Sequence, residues 1–503
     1  LPIGAYDALG YRLPAIAAWL DAGAVVWVPG DDPLRNGYPL GLEVIAAVCF
    51  RAFDSAAAVD AVSVPFALSG ALALASFARE LGVPRWGARL AAGLFLLVPM
   101  QLLNAPSGYV DAAFAGGMVA LFVAVARWAR AGIVVPWLAA DVGIAAALVT
   151  ALKPHGFAFA ALALAAGLWR RLRALDVRQA MQEFGRVLAL ASPGLFFAGR
   201  NAMMTGNPLY PLELRLGERV LLRGESSLDG ILTPAFNVPR ELAGLPSLLR
   251  PFWVWLQPHG PARSFDDRLA GFGYAFVAVG LPALAWAAWR SRAAPDGRGL
   301  ALVIGLTFAC WLLQPLSFWP RFTSWVWGAA ALAIALAVSE LVRTGRSGGA
   351  LALACGALVF AVPEALYALA HVKGIDRLGL SVLGDDPITQ LARVSGVDRQ
   401  FVQRALVGKR DVCRTPWRLG TDDANLDGVV AQLSPRPRVH VVDDERWSAL
   451  PRALRAHGCD QLIAIGDSPL LKQLPADASV RVEPALAFGP CHLVSLSLPE
   501  VIP

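Results

Sequence analysis

The sequence predicts a polytopic α-helical membrane protein that carries a small α/β domain at its C-terminal end. Three observations lead there. Hydrophobic residues make up 56% of the 503 residues. They gather into ten apolar stretches, at about 58–79, 86–104, 110–129, 135–152, 155–170, 184–204, 270–289, 299–317, 321–343 and 349–371, and a membrane-crossing helix needs ~20 apolar residues. From about Gly374 the composition becomes that of a soluble domain.

Arginines orient the stretches. Arg79, Arg85 and Arg89 share one connection, Arg127 and Arg130 the next but one. Arg170, Arg171, Arg173 and Arg178 follow, then Arg290, Arg292 and Arg298, then Arg343 and Arg346. Basic loops stay cytoplasmic. The alternate turns carry single polar residues, Asp111, Lys153, Arg200 and Arg321, with Asp7 ahead of them, and so share the outer face. This topology also puts Leu1 outside, so one further helix is expected upstream of it, giving about eleven spans with the first missing from this chain.

Residues 1–373 read as the transmembrane domain. Within it, 1–57 form a first outer loop with helices expected at about 11–22 and 40–53. The second of these, with Glu43 and Arg51, is too short and too polar to span and would invert every arginine loop, so it reads as interfacial. Residues 205–268 form a long outer loop rich in Pro, Gly and charge, in which Pro251-Phe252-Trp253-Val254-Trp255-Leu256 reads as an interfacial anchor. Residues 374–503 read as an extracytoplasmic α/β domain. Strands are expected at 438–443, 461–465 and near 491–497, with a helix at 445–457, giving a partly parallel sheet.

Formal charge is +6, mostly from the arginine loops. It reads as topology and contact with anionic lipid headgroups, not nucleic-acid binding. Of the six cysteines, Cys49, Cys310 and Cys355 lie in apolar segments. Cys413, Cys459 and Cys491 lie in the tail, where an extracytoplasmic setting allows one disulfide among them. Neither the cysteines nor the histidines show a metal-ligand spacing. His155 and His259 read as polar caps.

The outer-face residues carry the candidate chemistry. Asp7 lies one turn before Tyr11 on the same helix side and reads as either an N-cap or a general base. Asp111 opens a span, where the helix dipole favours an acid. Ionisable groups entering a membrane also tend to face a cavity or a partner. Lys153 is the only lysine in the first 370 residues and sits in the turn Lys153-Pro154-His155-Gly156. It reads as a snorkelling anchor or as a ligand for a lipid phosphate. Arg200, in Arg200-Asn201, and Arg321, after Ser317-Phe318-Trp319-Pro320, are interfacial anchors or, with Lys153, a cationic pocket for phosphate oxygens.

Together these pieces resemble the GT-C superfamily of polyprenyl-phosphate-sugar-dependent glycosyltransferases of bacterial membranes. The resemblance rests on Asp7-Ala-Leu-Gly-Tyr11-Arg-Leu-Pro14 with Trp19, Tyr38-Pro39, Glu43, Tyr109-Val110-Asp111, Lys153-Pro154, Arg200-Asn201, Thr205-Gly-Asn-Pro-Leu-Tyr-Pro211, Gly271-Phe-Gly273 and Pro320-Arg321-Phe322, in order over most of residues 1–343. It implies Asp7 as catalytic carboxylate, joined by Asp111. It implies Lys153, Arg200 and Arg321, with Tyr11 and Tyr38, as binders of the lipid phosphate and substrate. A divalent cation, Mg²⁺ or Mn²⁺, would sit at Asp7 and Asp111. The sequence departs from the pattern at Ala8, where many members keep a second acid, at Arg12, where many have His, and at Phe322, where Tyr is common.

The expected activity is inverting transfer of a sugar from a polyprenyl-phosphate donor to an acceptor glycan, lipid or protein at the outer face of the inner membrane. The alternative is a catalytically inactive GT-C-derived subunit bound to a protein partner. A transporter fits less well, because transport sites lie near the bilayer midplane and these charges gather at one face.

Overall fold

The computed structural model describes residues 8–28, 34–53, 57–227, 238–256, 269, 271–293, 297–314 and 316–371, and, further on, 390, 411–414, 438–441, 459, 461–464, 480–484 and 492–496. The helices used below are α1 (Leu13–Ala22), α2 (Leu34–Gly37), α3 (Gly41–Phe53), α4 (Ala57–Ala61), α5 (Ser63–Glu80), α6 (Arg85–Leu96), α7 (Pro99–Asn104), α8 (Asp111–Arg130), α9 (Pro136–Leu152), α10 (Gly156–Ala174), α11 (Val177–Ala191), α12 (Phe196–Thr205), α13 (Arg250–Leu256), α14 (Leu281–Ala293), α15 (Gly297–Leu313), α16 (Trp325–Arg343) and α17 (Ser347–His371). The chain falls into two compact units. One comprises Leu1–Asn36, Glu43–Asp60 and Lys373–Pro503, the other Gly37–Leu42 and Ala61–Val372.

In the second unit α8 and α16 form the centre. α8 is buried along nearly its whole length, and α16 is buried from Trp325 to Val338. α5, α9, α10 and α15 pack on α8, and α6, α14 and α17 on α16. The α5–α8 crossing uses two glycines, since a Cβ on Gly70 would stand 2.6 Å from the Gly116 Cα. Lipid tails offer no hydrophobic drive for helix association, so close backbone packing between small residues supplies it.

Each of the ten expected apolar stretches is mainly helical, and the fold is that of a polytopic α-helical membrane protein. Their continuity differs from expectation. Among the described residues, four helices are long and apolar enough to cross a membrane: Ala58–Glu80, Asp111–Arg130, Trp325–Arg343 and Ser347–Ala370. Pro136–Leu152 and Gly297–Leu313 are apolar but shorter. The 86–104 stretch breaks between α6 and α7, because Pro99 has no N–H to continue the ladder and Val98 is extended at ψ 125°. The Trp327 indole takes the freed Leu94 carbonyl at 2.5 Å. The 184–204 stretch breaks at a 3₁₀ turn, Ser192–Leu195, that contains Pro193. α11 starts early, at Val177, where the Asp176 side chain accepts from the Gln179 N–H at 2.9 Å.

The long loop holds secondary structure that the sequence reading missed. Strands β1 (Leu212–Leu216) and β2 (Arg219–Leu222) form an antiparallel hairpin, and β3 (Ser226–Ser227) runs parallel to β1. The Thr205-to-Pro211 segment builds its base. Gly206 takes the left-handed helix-capping conformation at φ 75°. Asn207 donates to the Leu212 and Arg223 carbonyls at 2.7 and 2.9 Å and accepts from the Leu209 N–H at 2.8 Å.

In the first unit the α3 helix falls where the 40–53 expectation put it. The tail contains a five-stranded sheet of β4 (Asp411–Arg414), β5 (Arg438–Val441), β6 (Gln461–Ala464), β7 (Val480–Pro484) and β8 (His492–Leu496), in order β5-β4-β6-β8-β7. β4 is parallel to β5 and β6, whereas β8 is antiparallel to β6 and β7. β4 and β7 were not foreseen; the helix expected at 445–457 lies outside the described residues. Cys459 is disulfide-bonded, while Cys49, Cys310 and Cys355 are free.

Candidate functional site

Three of the sequence-predicted residues meet at one end of the bundle. Gly108, at φ 73°, turns the chain into α8. Ser63 Oγ donates to the Tyr109 carbonyl at 2.6 Å and fixes the turn against α5. Asp111 is then the first residue of α8, 3% exposed. Its carboxylate forms an ion pair with the Lys153 ammonium.

Lys153 ends α9 in an extended conformation, φ −147° and ψ 147°. α9 and α10 reverse tightly there: the Gly156 N–H donates to the Lys153 carbonyl at 3.0 Å. A side chain at Gly156 would run into the Val149 carbonyl, so the turn needs glycine. The reversal aims the Lys153 ammonium at Phe322, 4.3 Å from the ring centre, and past Phe114 at 5.5 Å.

Arg321 stands in the short turn Pro320–Thr323 before α16 and is 8% exposed. Its guanidinium lies over Trp319 at 4.5 Å, Phe322 at 4.7 Å and Tyr109 at 5.0 Å. Lys153 and Arg321 therefore share one ring, that of Phe322. Phe322, one of the three departures from the GT-C pattern noted in the sequence, is the ring both cations rest on.

His155 joins the cluster, and sequence reasoning had set it aside as a cap. Its ring meets Phe114 at 5.0 Å, Phe159 at 5.2 Å and Phe322 at 6.5 Å. Its Nε2 is buried with no hydrogen-bond partner. Burial first, and the neighbouring Lys153 charge second, push its pKa down to about 3 against the opposing pull of Asp111, so the imidazole is neutral at physiological pH. Its place two residues from Lys153 in a tight turn was the available sequence signal.

Arg200 lies elsewhere in the same unit. It is 7% exposed on α12, over Phe197 at 4.9 Å, and donates to Asn201 Oδ1 at 3.2 Å. Asn201 in turn donates to the Gly37 carbonyl at 2.9 Å and to the Tyr210 carbonyl at 3.3 Å. That bond places half-buried Tyr38 next to a segment gripped by α12. Gly41 packs against the end of α9, where a Cβ would come 2.6 Å from that of Ala151.

In the other unit a π-helical turn, Ala8–Arg12, leads into α1. Tyr11 is 5% exposed there. Arg12 donates to the Tyr11 hydroxyl at 3.2 Å and forms an ion pair with Glu43. Arg35 donates to the Gly10 carbonyl at 3.3 Å. Burial pushes the Glu43 carboxyl above its usual range, with Arg12 opposing. The Arg12–Glu43 pair thus locks the first-loop turn to α3, which sequence reading had not foreseen. Asp7 lies outside the described residues.

Among the described residues no group of three His, Cys, Asp or Glu could hold a metal ion. Asp111 answers Lys153 instead. Asp7, the other residue of the expected divalent-cation site, lies outside the described residues.

No family model matches the chain, and no curated relative matches it in sequence. Solved structures do. ArnT from Cupriavidus metallidurans in the apo state superposes with a TM-score of 0.54 at 14% identity, covering 98% of this chain and 94% of that one. The same protein bound to undecaprenyl phosphate superposes at 0.56 and 12% identity over the same shares. This chain has the GT-C fold. The archaeal oligosaccharyltransferase AglB from Archaeoglobus fulgidus, in complex with an inhibitory peptide and a dolichol-phosphate, aligns at 0.45 and 14% identity over 92% of this chain and 66% of that one. At these identities the GT-C likeness is one of fold.

Proposed function

We propose that the protein transfers a sugar from a polyprenyl-phosphate carrier to an acceptor hydroxyl or amine at the outer face of the bacterial inner membrane. One observation carries the reading: in a GT-C fold, Lys153 and Arg321 rest on the single Phe322 ring with Asp111 paired to Lys153. Two basic side chains held at one ring bring donors of the kind that suit an anionic group. A phosphate group offers several acceptor oxygens to such a pair, and arginine engages two at once. ArnT, whose fold this chain shares, binds undecaprenyl phosphate, which supports a lipid of that class as donor carrier.

In this reading Asp7 takes the proton from the acceptor as it attacks the anomeric carbon. The bond from that carbon to the phosphate oxygen breaks, and the phosphate leaves with its electron pair. Lys153, Arg321 and, from α12, Arg200 stabilise that charge. Direct displacement inverts the anomeric centre. Asp111 positions Lys153, since its carboxylate is already engaged. By the resemblance, Tyr11 and Tyr38 would contact the carrier or the sugar. A tail disulfide at Cys459 supports an oxidising, extracytoplasmic location.

A second reading, a catalytically inactive GT-C-derived subunit, draws on Ala8 beside Asp7 and on the engagement of Asp111. Proteoliposomes loaded with undecaprenyl-phosphate-linked sugars decide between them by release of undecaprenyl phosphate. Release that is lost in Asp7→Asn supports transfer with Asp7 as base. Unchanged turnover in a folded Asp7→Asn variant removes Asp7 from the mechanism, and no turnover in the native chain with any donor favours the inactive subunit.

A further inference from the structure

The β1–β2 hairpin shows leucines to its surroundings where a water-facing loop would show polar groups. Leu214 is 44% exposed, Leu216 72% and Leu221 48%. Arg215, Arg219 and Arg223 are exposed among them. Of the acids nearby, Glu213 is paired with Arg215, Glu225 accepts from the Tyr210 hydroxyl, and Glu218 is exposed at the tip.

The hairpin's base is tied to the end of a helix of the membrane bundle. Asn201, in the last turns of α12, donates to the Tyr210 carbonyl, and Asn207, just past its cap, donates to the Leu212 carbonyl in β1 and to the Arg223 carbonyl just after β2. The end of α12 also shows apolar side chains, Met203 at 82% and Met204 at 58% exposure. Leu214 is two residues into β1, about 7 Å from its base at ~3.4 Å per residue. The headgroup layer is about 5–8 Å thick on each side, from a ~30 Å core within ~40–45 Å in all.

We propose that the β1–β2 hairpin is a membrane-surface anchor, with Leu214, Leu216 and Leu221 seated at the boundary of acyl chains and headgroups and Arg215, Arg219 and Arg223 at the lipid phosphates. Two features favour a lipid occupant over a protein. The exposed leucines follow a helix end that itself shows exposed Met203 and Met204, and arginines interleaved with leucines match a layer that is apolar below and anionic above. The hairpin then holds the long loop at the bilayer surface and does not swing as a lid. This does not depend on the transfer reaction.

The test uses the full chain in nanodiscs of phosphatidylethanolamine and phosphatidylglycerol. A nitroxide is placed at Leu214→Cys, Leu216→Cys or Leu221→Cys in a Cys49→Ser/Cys355→Ser background, with Val359→Cys on α17 as the lipid-facing reference. Relaxation by oxygen that exceeds relaxation by a water-soluble nickel chelate, as at Val359, is the expected result. Dominant relaxation by nickel overturns the proposal, as does exclusion of both reagents, which signals a protein cover. Dipolar broadening between labels overturns it in favour of a second copy. If a cysteine variant fails to fold, benzoylphenylalanine at Leu216 reads the same point: crosslinks to lipid support the anchor, and crosslinks to protein overturn it.

Discussion

The two ends of α8 hold two buried charge clusters that are built differently. At the C-terminal end Arg171 donates to Glu183 through Nε at 2.8 Å and Nη2 at 2.6 Å, to the Ile133 carbonyl at 2.9 Å, and to the Ala131 carbonyl. Glu183 also accepts from the Trp128 indole at 3.0 Å and the Val135 N–H at 3.1 Å. At the N-terminal end Lys153 and Arg321 rest on aromatic faces beside one described carboxylate, Asp111. A ring of oxygens saturates a cation, whereas a ring face attracts it by only about 0.5–2 kcal/mol. The first cluster staples the 131–135 turn to α10 and α11. The second holds Lys153 against Asp111 and the Phe322 ring, and Arg321 against three aromatic faces.

That difference is open to attack. The largest effect is expected from Glu183→Ala, which leaves fully buried Arg171 without its carboxylate. Breaking a buried pair costs about 3–5 kcal/mol, so the variant unfolds early in detergent melts. The double variant Arg171→Met/Glu183→Leu recovers part of that loss, because no lone charge remains. At the other end, the double variant Lys153→Met/Asp111→Asn, which leaves no lone buried charge, is expected to melt closer to the native chain but to lose about a hundredfold or more in sugar transfer, as removal of a charge-stabilising donor does. Comparable stability losses for Glu183→Ala and Lys153→Met/Asp111→Asn would erase the distinction.

A smaller effect is expected from Arg321→Lys, which keeps the charge but gives up the planar fork and the stacking on Trp319 and Phe322. Binding of undecaprenyl phosphate, titrated by intrinsic tryptophan fluorescence, should weaken about tenfold, the equivalent of ~1.4 kcal/mol. The smallest effect is one of pH. The His155 pKa falls from 6.5 to about 3 on folding, so below 6.5 the unfolded chain binds a proton that the folded chain refuses. Stability from this group is full above about 6.5 and is lost as pH falls toward 3. His155→Phe should flatten the acid side of the stability profile, and an unchanged slope would place the acid sensitivity elsewhere.

Local pattern carried much of the fold into view. The apolar stretches, the helix at 41–53 and three of the five described tail strands follow from periodicity and composition. Helix breaks were harder to place, because Pro99 and Pro193 act only together with what receives the freed carbonyls, such as Trp327 from a helix far along the chain. The hairpin in the long loop was hidden because exposed leucines alternating with arginines give no inward face to read. Arg171 counted as one of a cytoplasmic arginine cluster, yet it is fully buried. A single charge looks alike in sequence whether it faces headgroups or a buried glutamate.

What the sequence determined by itself was the series of apolar helical stretches and the set of isolated polar residues between them, because bilayer thickness and backbone hydrogen bonding leave little choice of element. Their gathering was the work of the tertiary structure. Asp111, Lys153 and Arg321 are far apart in the chain, and only the packing of α8, the α9–α10 reversal and the turn before α16 brings them to Phe322. The same packing separates Arg200 to a second position on α12; in the other unit, Arg12 pairs with Glu43. Side-chain pairing depends on which helix faces which, and that is settled by close contacts such as Gly70 on Gly116, which no local stretch of sequence encodes.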